Sequence, residues 1–414
     1  MATSPARDGQ SSRTGAGAAA PVRQPPAHSP LPWRALRASA GTVLRRREDA
    51  RPALRQLLAG EFAAQDVSLF ASGTQALQVA LSVAKNEAGS DAAVALPAFT
   101  CFDVATAAVG ADLRITLYDL DPATLTPDLD SLGRALADGA GIVVVAPLFG
   151  LPADWEAVQS LVAAAGGLLV EDAAQGSGAR WQGRPVGSLG VMSVLSFGRG
   201  KGWTGGGGGA LLTRNRTPLS VSRNGENRVA DLRAVSLAAA QWTFARPALY
   251  AIPAALPWLG LGETRYRDPV PPRPLSRASA SLLLHGAVAA EREAEERRRR
   301  AARLLELLRG HPGIAPIAPL AAGVPGYLRL PLRVKGGLSG LANREAAVRL
   351  GVAASYPNPI GELPAVRARL VGHHRGTEGN WPGAEALARE LITLPTHSLL
   401  AADDLDRLVR AVTG

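Results

Sequence analysis

One lysine in an unusual setting is the first residue of this 414-residue chain that could do chemistry. The chain has 42 arginines but only three lysines, Lys85, Lys201 and Lys335. Lys201 lies in Ser196–Trp203 with a glycine on either side, and five more glycines follow at 205–209. Glycine-rich backbone disfavours helix and strand but permits a strained, close-fitting loop. A lysine held there could bind an aldehyde as a Schiff base, whereas Lys85 and Lys335 are predicted to be surface lysines.

An acidic pair forms the second feature, at the end of a predicted buried strand. Glu171 and Asp172 directly follow the apolar residues Leu168–Val170 and precede Ala173-Ala174-Gln175. A carboxylate at the end of a buried strand is costly unless it has a positive partner. The acid could pair with a protonated ring nitrogen of a cofactor, or it could form an ordinary ion pair or helix cap. The pair alone leaves these alternatives open.

A helix start with two hydroxyl groups forms the third feature. Ser72-Gly73-Thr74 lies between the strand predicted at Val67–Phe70 and the helix predicted at Gln75–Ala84. Free N–H groups at a helix start, with hydroxyls and a glycine, suit a phosphate, although such residues also serve as an ordinary N-cap. Together with the acid and the lysine, which lie 29 residues apart, they are the parts of a pyridoxal phosphate site.

Several other chemistries are excluded by residue types. A nucleoside triphosphate loop would need glycine at position 195 and serine or threonine at 202, where the chain has Leu195 and Gly202. No serine lies in a Gly-x-Ser-x-Gly frame. The single cysteine, Cys101, excludes a disulfide scaffold and multi-cysteine metal sites. His373-His374 has no evident third ligand, so no metal site is predicted.

The elements that must position these residues alternate between strands and helices. Fully apolar runs separated by amphipathic segments indicate an α/β fold with a mostly parallel sheet covered by helices on both faces. The predicted strands are Val67–Phe70, Ala93–Leu96, Ile115–Tyr118, Ile142–Ala146, Leu168–Val170 and Met192–Phe197. A long helix from Ser276 to Leu308 opens a second region. We therefore expect a large cofactor-binding domain over 46–275 and a smaller C-terminal α/β domain over 276–414.

Charge is concentrated at the start of the chain. Of the net charge of +10, +7 lies in the first 55 residues, and residues 1–45 are predicted to be a disordered basic leader. No recognised binding module accompanies these arginines, so no nucleic-acid partner is expected. The longest uncharged apolar stretch in the hydrophobic middle of the chain, Pro247–Gly262, has 16 residues with three prolines, too short for a transmembrane helix. The predicted location is the cytoplasm.

The sequence resembles the DegT/DnrJ/StrS family of aminotransferases, which act on keto nucleotide sugars. The resemblance covers about 67–213 and again about 344 to the end. Its motifs are Ser72-Gly73-Thr74-Gln75-Ala76-Leu77, Leu96-Pro97-Ala98-Phe99-Thr100, Glu171-Asp172-Ala173-Ala174-Gln175, Val186-Gly187-Ser188, Ser196-Phe197 with Lys201, Trp381-Pro382-Gly383-Ala384-Glu385 and Leu394-Pro395-Thr396-His397. It implies a pyridoxal phosphate transferase of fold type I that works as a homodimer.

The resemblance also implies a role for each matched residue. Lys201 would form the Schiff base with pyridoxal phosphate, and Asp172 would keep the pyridine nitrogen protonated. Gln175 would lie near the phenolic oxygen. The remaining assignments are three phosphate ligands, Gly73, Thr74 and Ser196, and one aromatic residue stacked on the ring, Phe102.

The implied reaction moves an amino group from an amino acid, glutamate in most of the family, to a keto nucleotide sugar. The freed amine of Lys201 would act as the general base. Arg199 could lower the pKa of that amine or contact phosphate. Two alternatives stay open: a pyridoxal phosphate lyase or dehydratase on the same scaffold, and a non-catalytic regulator that binds the cofactor. The family's dehydratases have histidine in place of this lysine, which favours the aminotransferase.

Overall fold

The computed structural model describes residues 23–45, 48–89, 91–214, 227–256, 264–372 and 381–414. The strands are, in chain order, β1 (Asp66–Phe70), β2 (Ala93–Pro97), β3 (Arg114–Tyr118), β4 (Ala140–Val145), β5 (Leu168–Asp172), β6 (Arg180–Trp181), β7 (Arg184–Pro185), β8 (Met192–Ser196), β9 (Gly209–Thr213), β10 (Ile314–Pro316), β11 (Gly323–Val324), β12 (Leu330–Val334), β13 (Ala353–Ala354) and β14 (Leu391–Leu394).

Helices cover the strands on both sides. They are α1 (Trp33–Arg45), α2 (Arg51–Glu61), α3 (Gly73–Ala88), α4 (Phe102–Gly110), α5 (Leu129–Ala137), α6 (Trp155–Ala164), α7 (Arg228–Phe244), α8 (Pro247–Ala254), α9 (Arg277–Leu307), α10 (Arg344–Arg349), α11 (Pro364–Arg367), α12 (Pro382–Glu390) and α13 (Ala402–Thr413). Within the described ranges, every helix is too short or too polar to span a lipid bilayer.

A seven-stranded sheet carries the main core, in the order β1-β9-β8-β5-β4-β2-β3. β9 is antiparallel to both of its neighbours, and all other pairs are parallel. β2 is buried along its whole length, as expected for a parallel strand with helices on both faces. The predicted α/β fold with a mostly parallel sheet is therefore confirmed, and each of the six predicted strands is present.

The C-terminal residues build a separate antiparallel sheet of four strands, in the order β10-β12-β14-β13. The 31-residue helix α9 precedes it, beginning where the sequence predicts, because the Ser276 hydroxyl accepts a hydrogen bond from the backbone N–H of Ser279. α9 packs against α1, α2, α7 and α13. It thereby joins the N-terminal helices to the last helix of the chain.

The expected disorder of residues 1–45 is wrong for residues 23–45; residues 1–22 lie outside the described part. Residues 33–45 form α1, and Leu31, Ala35 and Leu36 are buried against Ala238 of α7 and Leu282 of α9. An arginine-rich, low-complexity composition suggested a solvated segment. Ala35 and Leu36 nevertheless lie on the buried side of α1, which is enough to dock the helix, while Trp33 and Leu44 stay exposed.

Candidate active site

The carboxyl ends of five parallel strands meet around one cavity. β1, β2, β4, β5 and β8 all end at its walls, at the edge where open α/β sheets bind ligands. The structure brings six of the seven predicted site residues together there: Gly73, Thr74, Asp172, Gln175, Ser196 and Lys201. The seventh, Phe102, does not line the cavity.

Lys201 reaches the cavity from a loop that only glycine backbone can form. Gly200 and Gly202 on either side of it have φ of +75° and +80°, a region that side chains rarely adopt. The backbone N–H of Lys201 donates to the carbonyl of Gly198 at 3.3 Å. Its amine forms no hydrogen bond with any residue of the described ranges. By contrast, Lys85 donates to the carbonyl of Asp112, and Lys335 is exposed, as predicted for surface lysines.

The start of α3 lies unusually close to the end of β8. A Cβ at Gly73 would lie 2.7 Å from Cβ of Ser196, so only glycine allows this approach. The Ser72 hydroxyl caps the helix by accepting from the N–H of Gln75 at 3.2 Å. The first-turn N–H groups, which a helix cannot satisfy internally, therefore open beside the hydroxyls of Thr74 and Ser196. This arrangement is suited to an anion.

Glu171 and Asp172 point to opposite sides of β5, and only Asp172 faces the cavity. Glu171 is fully buried, and its carboxylate accepts hydrogen bonds from three backbone N–H groups and from the hydroxyl of Ser193. The N–H donors are those of Gly187, Leu189 and Gly190. Glu171 is thus a structural acid that fixes the turn before β8.

Asp172 is a buried acid in a different environment. One carboxylate oxygen accepts from the N–H of Ala174 at 3.0 Å, and the charge of Lys201 acts on it across the cavity. Burial nevertheless dominates and raises the pKa of Asp172 to about 6, because the charged form loses its hydration. A cationic group bound next to Asp172 would relieve that cost.

Gln175 is held at both ends of its amide. Its oxygen accepts from the N–H of Phe149 at 3.1 Å, and its nitrogen donates to the hydroxyl of Tyr356 at 2.8 Å. Tyr356 comes from the C-terminal region, and burial raises its pKa. Tyr356 is a site residue that sequence reasoning does not find, and its one local signal is its place directly before Pro357. It extends the site with a residue that lies two positions after β13.

Phe102 is a core residue in this structure. α4 begins at Phe102, whose side chain is buried in the main hydrophobic cluster, while its neighbours Cys101 and Asp103 line the cavity. Successive residues of a helix point about 100° apart, so the one facing the cavity cannot be read from composition alone. Burial and the nearby Asp103 raise the pKa of the Cys101 thiol to about 12, so this thiol stays protonated.

The residues around this cavity fit pyridoxal phosphate. The start of α3 together with the hydroxyls of Thr74 and Ser196 is here called the anion seat. The anion seat, the buried acid Asp172 and the amine of Lys201 all line the same cavity. In addition, the hydroxyl of Thr100 lines the cavity and is fully buried without a hydrogen-bond partner in the described structure. Buried polar groups are normally satisfied, so this one points to a polar ligand. Among the described residues no cluster could hold a metal ion, and His373-His374 lies outside them.

The fold is that of the pyridoxal phosphate transferases of fold type I, and the residues of this site fit that cofactor. The chain belongs to the DegT/DnrJ/EryC1/StrS aminotransferase family, whose model matches residues 54–224 and 273–413. Membership confirms the family suggested by the sequence motifs and shows that the protein is an enzyme.

Several aminotransferases of known name are similar to it. L-glutamine:2-deoxy-scyllo-inosose aminotransferase of Micromonospora echinospora is 31% identical over 361 residues, which cover 82% of this chain and 80% of that protein. Among solved structures, sugar aminotransferase CalS13 of Micromonospora echinospora has a TM-score of 0.71 at 19% identity, covering 94% of this chain and 99% of its own. Aminotransferase TlmJ of Streptoalloteichus hindustanus has a TM-score of 0.71 at 23% identity, covering 94% and 98%.

Proposed function

We propose that this protein uses pyridoxal phosphate to transfer the amino group of glutamate to the ketone of a keto nucleotide sugar. The observation that carries the proposal is the convergence of Lys201, Asp172 and the start of α3 on one cavity. By contrast, Lys85 donates to the carbonyl of Asp112, and Lys335 is exposed.

The site residues would hold the cofactor by complementary chemistry. Gly73, Thr74 and Ser196 would bind the phosphate, since helix N–H groups and hydroxyls donate to anions. Asp172 would pair with the protonated ring nitrogen. Gln175, fixed by Phe149 and Tyr356, would lie against the ring.

Pyridoxal phosphate, when bound, supplies an aldehyde that links covalently to amines and a ring that accepts the electrons released at the adjacent carbon. Lys201 would hold the cofactor through its aldehyde, and the same amine would serve as the general base that takes up the proton of the donor carbon. The glycine loop keeps that amine within reach. Asp172 would hold the proton on the ring nitrogen, because an ionised carboxylate favours the cation beside it.

A second acceptor class is favoured by the relatives. The name of the Micromonospora echinospora relative specifies glutamine as donor and 2-deoxy-scyllo-inosose as acceptor. A carbocyclic polyol ketone, with glutamine in place of glutamate, is therefore the alternative substrate pair. Both pairs require the same chemistry at Lys201.

A homodimer is part of the proposal. α8 buries none of its residues, and α7 buries only three, within the described structure. Large apolar side chains are exposed along both helices, namely Val229, Leu232, Leu237, Phe244 and Ile252. A surface of this kind supports burial against a second subunit. Light scattering on the purified protein should give twice the chain mass of 42.8 kDa.

A half-reaction separates the candidate functions. Holoenzyme is mixed with glutamate or glutamine in the absence of a ketone, and the 2-oxo acid and pyridoxamine phosphate are quantified. An aminotransferase forms both in equal amounts, whereas a lyase or a non-catalytic regulator forms neither. A panel of keto nucleotide sugars and carbocyclic ketones, assayed with the reactive donor, then selects the acceptor.

A further inference from the structure

Residues 23–31, here called the N-terminal strap, cross the molecule without regular secondary structure. They lie outside the family match, which begins at residue 54. The strap nevertheless contacts two distant parts of the chain. One end is bound to the C-terminal region and the other to the loop that carries Lys201.

Hydrogen bonds to the C-terminal region fix the first end. The backbone N–H of Gln24 donates to the carbonyl of Arg349 at 2.8 Å, and its side-chain amide donates to the carboxylate of Asp404 at 2.9 Å. The carbonyl of Pro25 lies 2.7 Å from Nε2 of His397, which is fully buried. Burial lowers the pKa of His397 to about 3, so the ring is neutral and Nε2 donates as the N–H tautomer.

The second end meets the lysine loop. The hydroxyl oxygen of Ser29, only 3% exposed, accepts a hydrogen bond from the backbone N–H of Gly202 at 3.0 Å. Two residues earlier, Ala27 lies beside Gly200, where a Cβ would come within 3.3 Å of its methyl group. The strap therefore touches the residues on both sides of Lys201.

The contact with the strap restricts the conformational freedom of the glycine-rich loop. Glycine loses more conformational freedom on ordering than any other residue, so the segment around Lys201 needs external contacts to hold one conformation. The N–H of Gly202 is buried, and its acceptor within the described structure is Ser29. Without it, a buried donor would be left unpaired.

We propose that Ser29 is a positioning residue that fixes the loop of Lys201, with the strap tying this loop to the C-terminal region. The inference rests on the proposed function, in which Lys201 binds the cofactor. It concerns the loop geometry and assigns Ser29 no contact with substrate or cofactor.

Hydrogen exchange on the cofactor-free full chain tests the loop directly. Ser29→Ala should accelerate exchange in a peptide spanning 198–203 by about fivefold, the effect of one neutral hydrogen bond. Ser39→Ala is the matched control, because Ser39 is also a buried serine of the N-terminal region but donates to the carbonyl of Ala278 instead. It should leave the loop peptide unchanged. Equal loop exchange in Ser29→Ala and Ser39→Ala would overturn the proposal.

A second pair of variants separates the loss of the Ser29 hydroxyl from a change in packing at position 29. Ser29→Thr and Ser29→Val have the same shape, but only threonine keeps the hydroxyl acceptor. The valine variant should bind pyridoxal phosphate about fivefold more weakly than the threonine variant and should titrate its lysine-bound absorbance at a shifted pH. Identical behaviour of the two would refute a role for the hydroxyl. Absence of lysine-bound cofactor in the wild type would instead refute the proposed function, while loop exchange would still report on Ser29.

Discussion

Two adjacent acids, Glu171 and Asp172, have different roles because their side chains lie in different environments. Glu171 accepts four hydrogen bonds, which hold the turn before β8 in place. Asp172, the next residue, has one backbone donor and faces the cavity. In a strand, successive side chains point to opposite faces, so the pair divides between the two roles. Burial raises the pKa of Asp172, so this carboxyl would gain from a cationic ligand beside it.

The pKa of Asp172 leads to a stability prediction for the cofactor-free protein. Its folded-state pKa is raised from 3.8 to about 6, so the free energy of unfolding falls as pH rises through that window. Asp172→Asn removes the buried charge. The variant should be more stable than wild type at pH 8, by up to about 3 kcal/mol at 1.36 kcal/mol per pKa unit.

Urea unfolding at pH 8 and at pH 4 checks this prediction. The stability difference should shrink at pH 4, where the wild-type carboxyl is almost fully protonated in the folded state and partly protonated in the unfolded state. Asp130→Asn, at an exposed acid in the first turn of α5, serves as control. A difference of equal size at both pH values would show that Asp172 is not held at a raised pKa. With cofactor present, Asp172→Asn should instead lower turnover by about 10³-fold or more, through loss of the ring-nitrogen proton.

At the scale of elements, the site depends on how closely α3, β8 and β9 approach one another. A Cβ at Gly209, the first residue of β9, would lie 2.5 Å from the carbonyl oxygen of Ser72, and one at Gly73 would clash with Ser196. The glycine run thus lets an antiparallel strand pass beside the helix start. The same backbone freedom that forms the lysine loop also makes room for the anion seat.

Gly73→Ala should therefore weaken pyridoxal phosphate binding more than it weakens the fold. The added methyl group must push the start of α3 away from Ser196, which moves the N–H groups off the phosphate. We expect at least a tenfold loss of cofactor affinity by fluorescence titration. Gly60→Ala in α2 is the control, because a Cβ there meets nothing within 4 Å, and it should bind normally with equal or higher stability. Equal affinity in the two variants would contradict the assignment of the anion seat.

The sequence predicts the apolar elements well and the glycine-rich ones poorly. The six parallel strands and α9 follow from hydrophobic runs and a serine cap. β9 is absent from the sequence prediction, because its first residue closes a five-glycine run that favours a loop. The strap and α1 are missed for a similar reason. Low-complexity composition indicates disorder unless the long-range partners, here Ala238 and Leu282, are known.

The candidate site also has residues that the sequence predicts and residues that it does not. Lys201, Asp172 and Gly73 stand at predicted strand ends, so topology alone brings them together. Phe102 could not be placed, since one helical step decides whether Phe102, Cys101 or Asp103 faces the cavity. Tyr356 is 181 positions away in sequence from its hydrogen-bond partner Gln175. Ser29 is 173 positions away from its partner Gly202. No local sequence pattern predicts contacts between residues so far apart in the chain.

At the scale of the whole molecule, α9 connects the regions of the chain through one buried cation. Arg297 is fully buried and donates to the carbonyls of Gly326 and Ser177 at 3.0 and 2.9 Å. Ser177 lies five residues after Asp172, and Gly326 precedes β12. The planar guanidinium can bridge the two segments, which a lysine ammonium cannot do with the same geometry.

Arg297→Lys should therefore destabilise the whole fold. Removing a forked donor that serves two buried carbonyls should lower the free energy of unfolding by about 2–4 kcal/mol. Arg299→Lys, at a side chain 66% exposed and paired with Glu296, should change it by less than about 0.5 kcal/mol. Thermal and urea unfolding measure both. An Arg297→Lys protein as stable as Arg299→Lys would mean that this bridge contributes little.

The identity of the lysine that binds the cofactor decides whether this cavity is the active site. The full-length protein is loaded with pyridoxal phosphate, reduced with borohydride, digested, and its modified peptide identified by mass spectrometry. The chain has three lysines, so the result is a choice among three peptides. We predict the reduced cofactor on Lys201, and its disappearance in Lys201→Ala. Modification of Lys85 or Lys335, or tethering that persists in Lys201→Ala, would contradict the assignment of this cavity as the active site.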